Sequence, residues 1–318
     1  MAVVGMGKIA RDQHLPAIAG NSGFSLAATV SPHDAGIPGL PHRKNLDSLF
    51  ADGPPVDAVA LCTPPQVRYD LAAQALSNGL HVLLEKPPGA TLAEVTALQA
   101  QAERAGVTLF AAWHSRFAAG VAPAREWLSA RTVMQASIVW QEDVRVWHPG
   151  QAWIWEPGGL GVFDPGINAL SIATCILPRP FFLRAAALEI PANRAAPIAA
   201  DLHFSDTAGA PLHMDLDWRQ TGSQRWDIVV ETDAGPLKLA NGGAALSLPG
   251  SAGQGENREY PGLYNHFLNL VRSGRRDVDI DPLRLVADIF LKGARRMTDA
   301  FHDDPPPADT LPSPARTA

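Results

Sequence analysis

Cysteine is nearly missing from this chain, since Cys62 and Cys175 are the two among 318 residues, and they show neither metal-ligand nor redox spacing. That scarcity excludes a disulfide framework and suits a reducing cytoplasm. No apolar run approaches the roughly 20 residues that a membrane helix needs. The first residues also lack the charged start and long apolar core of a secretion signal, so neither export nor a membrane location is expected. Lysine and arginine form no block, and a net charge of -6 argues against nucleic acid or an anionic lipid surface as the main partner. Small molecules are left as the expected ligands, and no metal site is expected. What remains is 46% hydrophobic and 18% charged, a globular composition long enough for two domains.

The organising stretch is His81-Val82-Leu83-Leu84-Glu85-Lys86-Pro87-Pro88. An apolar strand carries Glu85 and Lys86 to its end, and two prolines forbid it to continue. In an open parallel sheet the ligand crevice lies beyond the carboxyl ends of the strands, so an ammonium delivered there belongs where cofactor and substrate meet. Upstream, Ala2 to Val4 reads as a strand running into Gly5-Met6-Gly7-Lys8-Ile9-Ala10, a G-x-G-x-x-A turn that opens a helix over 11–19. In that fingerprint Gly5 permits the turn, Gly7 lets a pyrophosphate approach the backbone beside Lys8 and Ile9, and Ala10 allows close helix packing. A second strand, 24–30, ends at Ser31-Pro32-His33 instead of the acidic residue that would select NAD. With no arginine at hand to clamp a 2′-phosphate, Ser31 and His33 predict use of both NAD and NADP.

Strand and helix go on alternating: a helix at 46–51, strand 56–62, helix 66–78, the Lys86 strand, helix 91–105 and strand 107–112. Thr63 and Pro64 close the 56–62 strand at the same sheet edge and line the nicotinamide side. This predicts an α/β fold, a doubly wound parallel Rossmann sheet over 1–119 with right-handed crossovers. After Gly120 the pattern changes to a helix at 123–130 and a strand over 133–144, followed by three tryptophans and His148 within nine residues. A helix over 162–176 puts Asp164 and Asn168 on one face. Short alternating runs from 181 to 248 read as an open, mostly antiparallel sheet, closed by helices at 260–272 and 283–301. Residues 120–302 thus form an α+β domain for substrate and oligomerisation, and the proline-rich 303–318 a disordered tail. A sheet with one uncovered face would expose a large apolar area, which predicts a homo-oligomer, most simply a homodimer.

Gly5-x-Gly7, Glu85-Lys86-Pro87 and the Asp164 helix together resemble the glucose-fructose oxidoreductase and inositol dehydrogenase family (Gfo/Idh/MocA). The resemblance covers nearly the whole chain. Members usually carry a histidine four residues after the aspartate, where this chain has Asn168. That departure, with the Trp113-His114-Ser115-Arg116, Glu142-Asp143-Val144-Arg145 and Trp155-Glu156-Pro157-Gly158 motifs, is similar to the bacterial subgroup that oxidises L-arabinose and D-galactose at C1.

The resemblance implies NAD(P)-dependent oxidation of an aldopyranose at C1 to its 1,4- or 1,5-lactone. Asp164 is the expected base for the anomeric hydroxyl, Lys86 the cation that stabilises the oxyanion, and Asn168 a neutral hydrogen-bonding partner. The roles of Lys86 and Asp164 are exchangeable, because a close pair titrates as a unit. Glu142, His148 and His114 are nominated for the ring hydroxyls, with Trp147 and Trp226 as walls; each has the plain alternative of packing or surface. A sugar-sensing regulator on the same fold, or a dehydrogenase for an inositol or keto sugar, are the competing readings.

Overall fold

The computed structural model describes residues 1–256 and 258–303, and among these the chain builds two sheets. Strand β1 (Ala2–Val4) is wholly buried and runs into Gly5, whose φ of +87° is a left-handed conformation that glycine adopts without strain. The helical segment that follows is wound as a π-turn at Ala10–His14 before becoming α1 (Leu15–Ala19), so the expected 11–19 helix is present with a wider start. Strands β2 (Ala28–Val30) and β3 (His42–Arg43), helix α2 (Leu46–Asp52), β4 (Ala58–Leu61), α3 (Pro65–Ser77), β5 (His81–Glu85), α4 (Leu92–Ala105) and β6 (Leu109–Ala112) follow. β2 is shorter than the expected 24–30, because β1 offers partners only from Ala2, opposite Ala28. Local chemistry places the helices: Thr91 and Glu94 form a reciprocal capping box, and Gly106 ends α4 in the left-handed conformation.

The strand order is β3-β2-β1-β4-β5-β6, with every pairing parallel. This is the doubly wound dinucleotide-binding order. Strands β4 and β5 are buried on both faces, which is why they read as unbroken apolar runs.

Beyond it come α5 (Val121–Leu128), β7 (Val133–Gln141), the single turn α6 (Val144–Trp147), α7 (Phe163–Ile176), β8 (Phe181–Pro191), β9 (Ala199–Asp206), β10 (Pro211–Asp217), β11 (Arg225–Thr232), β12 (Gly235–Ala240), β13 (Ala245–Leu248), β14 (Ser251–Gln254), α8 (Glu259–Ser273), α9 (Asp281–Lys292) and β15 (Ala294–Thr298). Nine described strands form one mixed sheet, ordered β14-β13-β12-β11-β7-β10-β9-β8-β15. Its pairings are antiparallel except at β7–β10 and β8–β15. Helix α8 turns back to the first sheet, where Leu263, Tyr264 and Phe267 join Val3, Ile18 and Leu83 in one core.

Three further expectations change. The 283–301 helix stops at Lys292, and Ala294–Thr298 pairs with β8, Arg295 opposite Leu188 and Met297 opposite Ile190; an available sheet edge outweighs the helical propensity of alanine, arginine and methionine. The 133–144 strand ends at Gln141, because Asp143 caps α6 by accepting from the Arg145 N–H. The uncovered face of the second sheet is not broadly apolar. Its outward positions include Gln135, Ser137, Asp201, His203, His213, Asp215 and Asp217, while Ile138, Leu202, Met214 and Leu216 point into the core. No described helix is long and apolar enough to cross a membrane. The tail assigned to 303–318 lies, after Asp303, outside the described residues.

Candidate active site

β5 ends with Glu85 and Lys86 facing opposite ways, as successive residues of a strand must. Glu85 is buried and takes three donors: Tyr260 Oη at 2.6 Å, the Lys86 backbone N–H at 2.7 Å and His14 Nε2 at 3.1 Å. Burial alone would raise its carboxyl, but the hydrogen bond and charge of His14, with His114 and Lys86, hold it well below the usual carboxylate range. Burial likewise opposes a charged His14, yet its partners Cys62, Tyr264 and Glu85 outweigh that and raise it well above its ordinary value. Burial pushes the Tyr264 phenol up to about 12, so it stays neutral beside His14 Nδ1 at 2.8 Å. The Arg68 guanidinium, lowered by burial to about 10, donates to the carbonyls of Glu85, Pro87 and Thr63. It thereby ties the ends of β4 and β5 together under the crevice.

Lys86 projects to the other side, its Nζ 3.1 Å from Asp164 Oδ1 and 3.0 Å from the Asp164 carbonyl. Asp164 sits in the first turn of α7, entered through Gly161 at φ +55°, where an added Cβ would meet the Pro197 carbonyl oxygen at 2.3 Å. The glycine-rich 158–161 run is thus needed to bring the helix start against its neighbours. His148 lies between two carboxylates, with Nδ1 3.6 Å from Asp164 Oδ2 and Nε2 3.2 Å from Glu142 Oε1. Glu142 in turn accepts from the indoles of Trp218 at 3.2 Å and Trp226 at 2.9 Å. Trp147, 40% exposed, stands with its ring 4.8 Å from that of Trp226. A row of polar groups therefore runs Lys86, Asp164, His148, Glu142, walled by tryptophan, with the Asp164–His148 step left open at 3.6 Å.

The nominated residues do not all join it. Asn168 is half-buried one turn after Asp164, and its amide makes no hydrogen bond among the described residues. His114 belongs to the Glu85 side, stacked on Tyr260 with centroids 5.2 Å apart and 2.5 Å from Glu259 Oε2. Sequence reasoning missed His14, Arg68, Trp218, Glu259, Tyr260 and Tyr264. For Trp218 a signal existed, since it ends an alternating run; His14 lay inside the expected 11–19 helix with nothing to mark it, and Tyr260 and Tyr264 lie some 175 residues or more from the partners they meet.

Residues at the first turn fit a dinucleotide. A Cβ at Gly5 would come within 2.9 Å of Thr63 Cγ2, whereas one at Gly7 would meet nothing within 4 Å, leaving open space where a pyrophosphate would rest. The Thr63 hydroxyl is buried without a hydrogen-bond partner on the same rim, next to Pro64. Lys8 is exposed and pairs with Asp12, and Ile9 is half-buried. Beyond β2, Ser31 is buried and His33 exposed. An arginine is at hand after all: Arg11 bonds Asp34, with Nη2 at 2.7 Å and 2.6 Å from the two carboxylate oxygens. Its distance in sequence from Ser31 hid it.

Fold and site define a dinucleotide-dependent oxidoreductase. The family model for Gfo/Idh/MocA oxidoreductases, NAD-binding Rossmann fold, matches residues 1–113. A galactose 1-dehydrogenase of Pseudomonas fluorescens is 46% identical over 304 residues, covering 95% of this chain and 98% of its own. The crystal structure of a D-galactose-1-dehydrogenase from Rhizobium etli is 54% identical and superposes with a TM-score of 0.90 over 95% of this chain and 97% of that one. A 3-ketoreductase from Actinomadura kijaniata solved with NADP shares the fold alone, at 18% identity and a TM-score of 0.77, covering 93% of this chain and 98% of its own. The chain belongs to the Gfo/Idh/MocA oxidoreductase family.

Proposed function

We propose that this enzyme oxidises the anomeric carbon of an aldopyranose, D-galactose or L-arabinose, to the lactone, using NAD or NADP. The observation that carries this reading is the convergence of Lys86 and His148 on Asp164, beside tryptophan faces suited to the C–H patches of a sugar. The similarity to two galactose dehydrogenases over nearly the full length supports the same substrate class. Bound nicotinamide dinucleotide supplies the hydride acceptor, and Gly5, Gly7, Lys8, Ile9, Ser31, His33, Thr63, Pro64 and the 85–86 strand end are the residues proposed to hold it.

The chain's own groups handle the proton. Asp164, buried and already facing a cation, accepts it from the anomeric hydroxyl, while the Lys86 ammonium stabilises the negative charge growing on that oxygen. His148, held by Glu142 with its Nδ1 left open, orients the sugar; Asn168 offers a neutral amide to a ring hydroxyl. Glu142 already holds two indole N–H groups, so its part is positioning more than sugar binding. We further propose that residues 1–119, capped by α8, hold the cofactor and 120–302 the sugar. We also infer a cytoplasmic location and a homodimer. For the cofactor, Arg11 free of Asp34 would serve a 2′-phosphate and Asp34 a 2′-hydroxyl, which supports use of both.

A panel of aldoses with NAD and NADP, followed by absorbance of the reduced cofactor, tests the reading. Galactose or arabinose should give the highest kcat/KM. Formation of no lactone or reduced cofactor with any sugar would favour a sugar-sensing regulator instead.

A further inference from the structure

The outer face of the second sheet carries a side-chain cluster that dehydrogenation does not use. Antiparallel pairing of β9 with β10 sets His203 directly opposite His213 and Asp201 opposite Asp215. All of Asp201, His203 and His213 are exposed, alternating with buried Leu202 and Met214. Both imidazole Nε2 atoms turn to one carboxylate oxygen, Asp201 Oδ1, at 2.6 Å from His213 and 3.5 Å from His203. The two rings stack with centroids 4.8 Å apart. One ligand atom from each of the three lies within 4.8 Å of the others.

Two readings compete. As a plain polar cluster, the carboxylate accepts from one or both rings, and double protonation sets two like charges face to face. As an ion site, the cation takes a lone pair from each imidazole and from the carboxylate. Tetrahedral zinc with bonds of about 2.0–2.2 Å needs donors roughly 3.3 Å from one another, and the two separations found bracket that value. The ladder holds all three backbones, with the ligand atoms within 4.8 Å of one another, a span that side-chain rotation can close. Two imidazoles with one carboxylate select zinc, cobalt, nickel or copper over magnesium and calcium.

We propose that Asp201, His203 and His213 form a site for a divalent first-row transition ion, zinc in particular, with its fourth position open to water. None of the three belongs to the Lys86–Asp164 cluster, so ion binding and sugar oxidation are separable.

The test is calorimetric titration of ZnSO4 into the full-length, chelator-stripped enzyme, with aldose turnover measured in parallel. One saturable zinc per chain is expected. H203Q/H213Q should weaken it by at least about tenfold, since changing even groups behind metal ligands costs roughly 10–100-fold, and turnover of the zinc-free variant should match wild type. All three side chains are exposed, so circular dichroism of the variant should be unchanged. No saturable binding, or equal affinity in H203Q/H213Q and wild type, would overturn the proposal.

Discussion

The two sides of the β5 end hold similar groups in opposite conditions. Behind the strand, Glu85 has three donors, Tyr260 and Tyr264 are sealed, and Arg68 is spent on three carbonyls. In front, Asp164 shares one ammonium, His148 Nδ1 is buried with no hydrogen bond, and Trp147 is 40% exposed. A closed network builds architecture, because adding or removing a donor costs free energy. An open one is where a ligand completes the set. The contrast is sharpest between Glu85 and Asp164, two buried carboxylates of which one is fully partnered and the other is not.

Breaking the front side should have the largest effect on rate. Asp164→Asn keeps the shape but cannot take the proton, so turnover should vanish while sugar binding, measured by calorimetry, is largely kept. Combining it with Asn168→His should restore part of the rate if an imidazole there can act as base; substantial activity in Asp164→Asn alone would move the proton acceptor to Lys86. Lys86→Ala should lower kcat by about two to four orders of magnitude, the range for removing a preorganised charge from an oxyanion. Its cofactor affinity should change far less, and wild-type turnover in this variant would end the reading of the strand end as the centre.

The back side should answer in stability. Glu85→Gln removes a buried charged partner of His14, and a loss of about 3–5 kcal/mol is expected in denaturant unfolding. The sign of the pH effect follows from the two shifts. Glu85 is lowered, so its contribution is present above its ordinary 4.5 and is lost as pH falls through the lower native value. His14 is raised, so its contribution is full below 6.5 and is lost as pH rises through the higher native value. Wild-type stability should therefore decline as pH climbs above neutrality, and Glu85→Gln should flatten that slope. Equal slopes would place the proton elsewhere.

The smallest effect is expected at the rim that belongs to neither network. Ser31→Asp should shift cofactor use toward NAD by repelling a 2′-phosphate, with the pH profile of turnover unchanged. Unaltered NADP kinetics would show that the ribose is read at Arg11 and Asp34.

The sequence by itself determined the alternation of strand and helix, the Gly5–Ala10 turn, the delivery of Lys86 to a strand end and the placing of Asp164 in a helix start. These rest on local rules: the period of apolar residues, proline and glycine at element ends, and capping chemistry. Tertiary structure alone decided the rest. β15 is a strand because β8 had an unpaired edge, and α8 brings Tyr260 and Tyr264 to Glu85 although chain order puts it with the second sheet. His148 reaches Asp164 across 16 residues of loop and helix start, and His203 meets His213 only when two strands pair in one register. Contacts of this kind leave no period or motif in the chain, because what sets them is the energy of burying charge with a partner and of filling a sheet edge, terms that exist only once the whole molecule is folded.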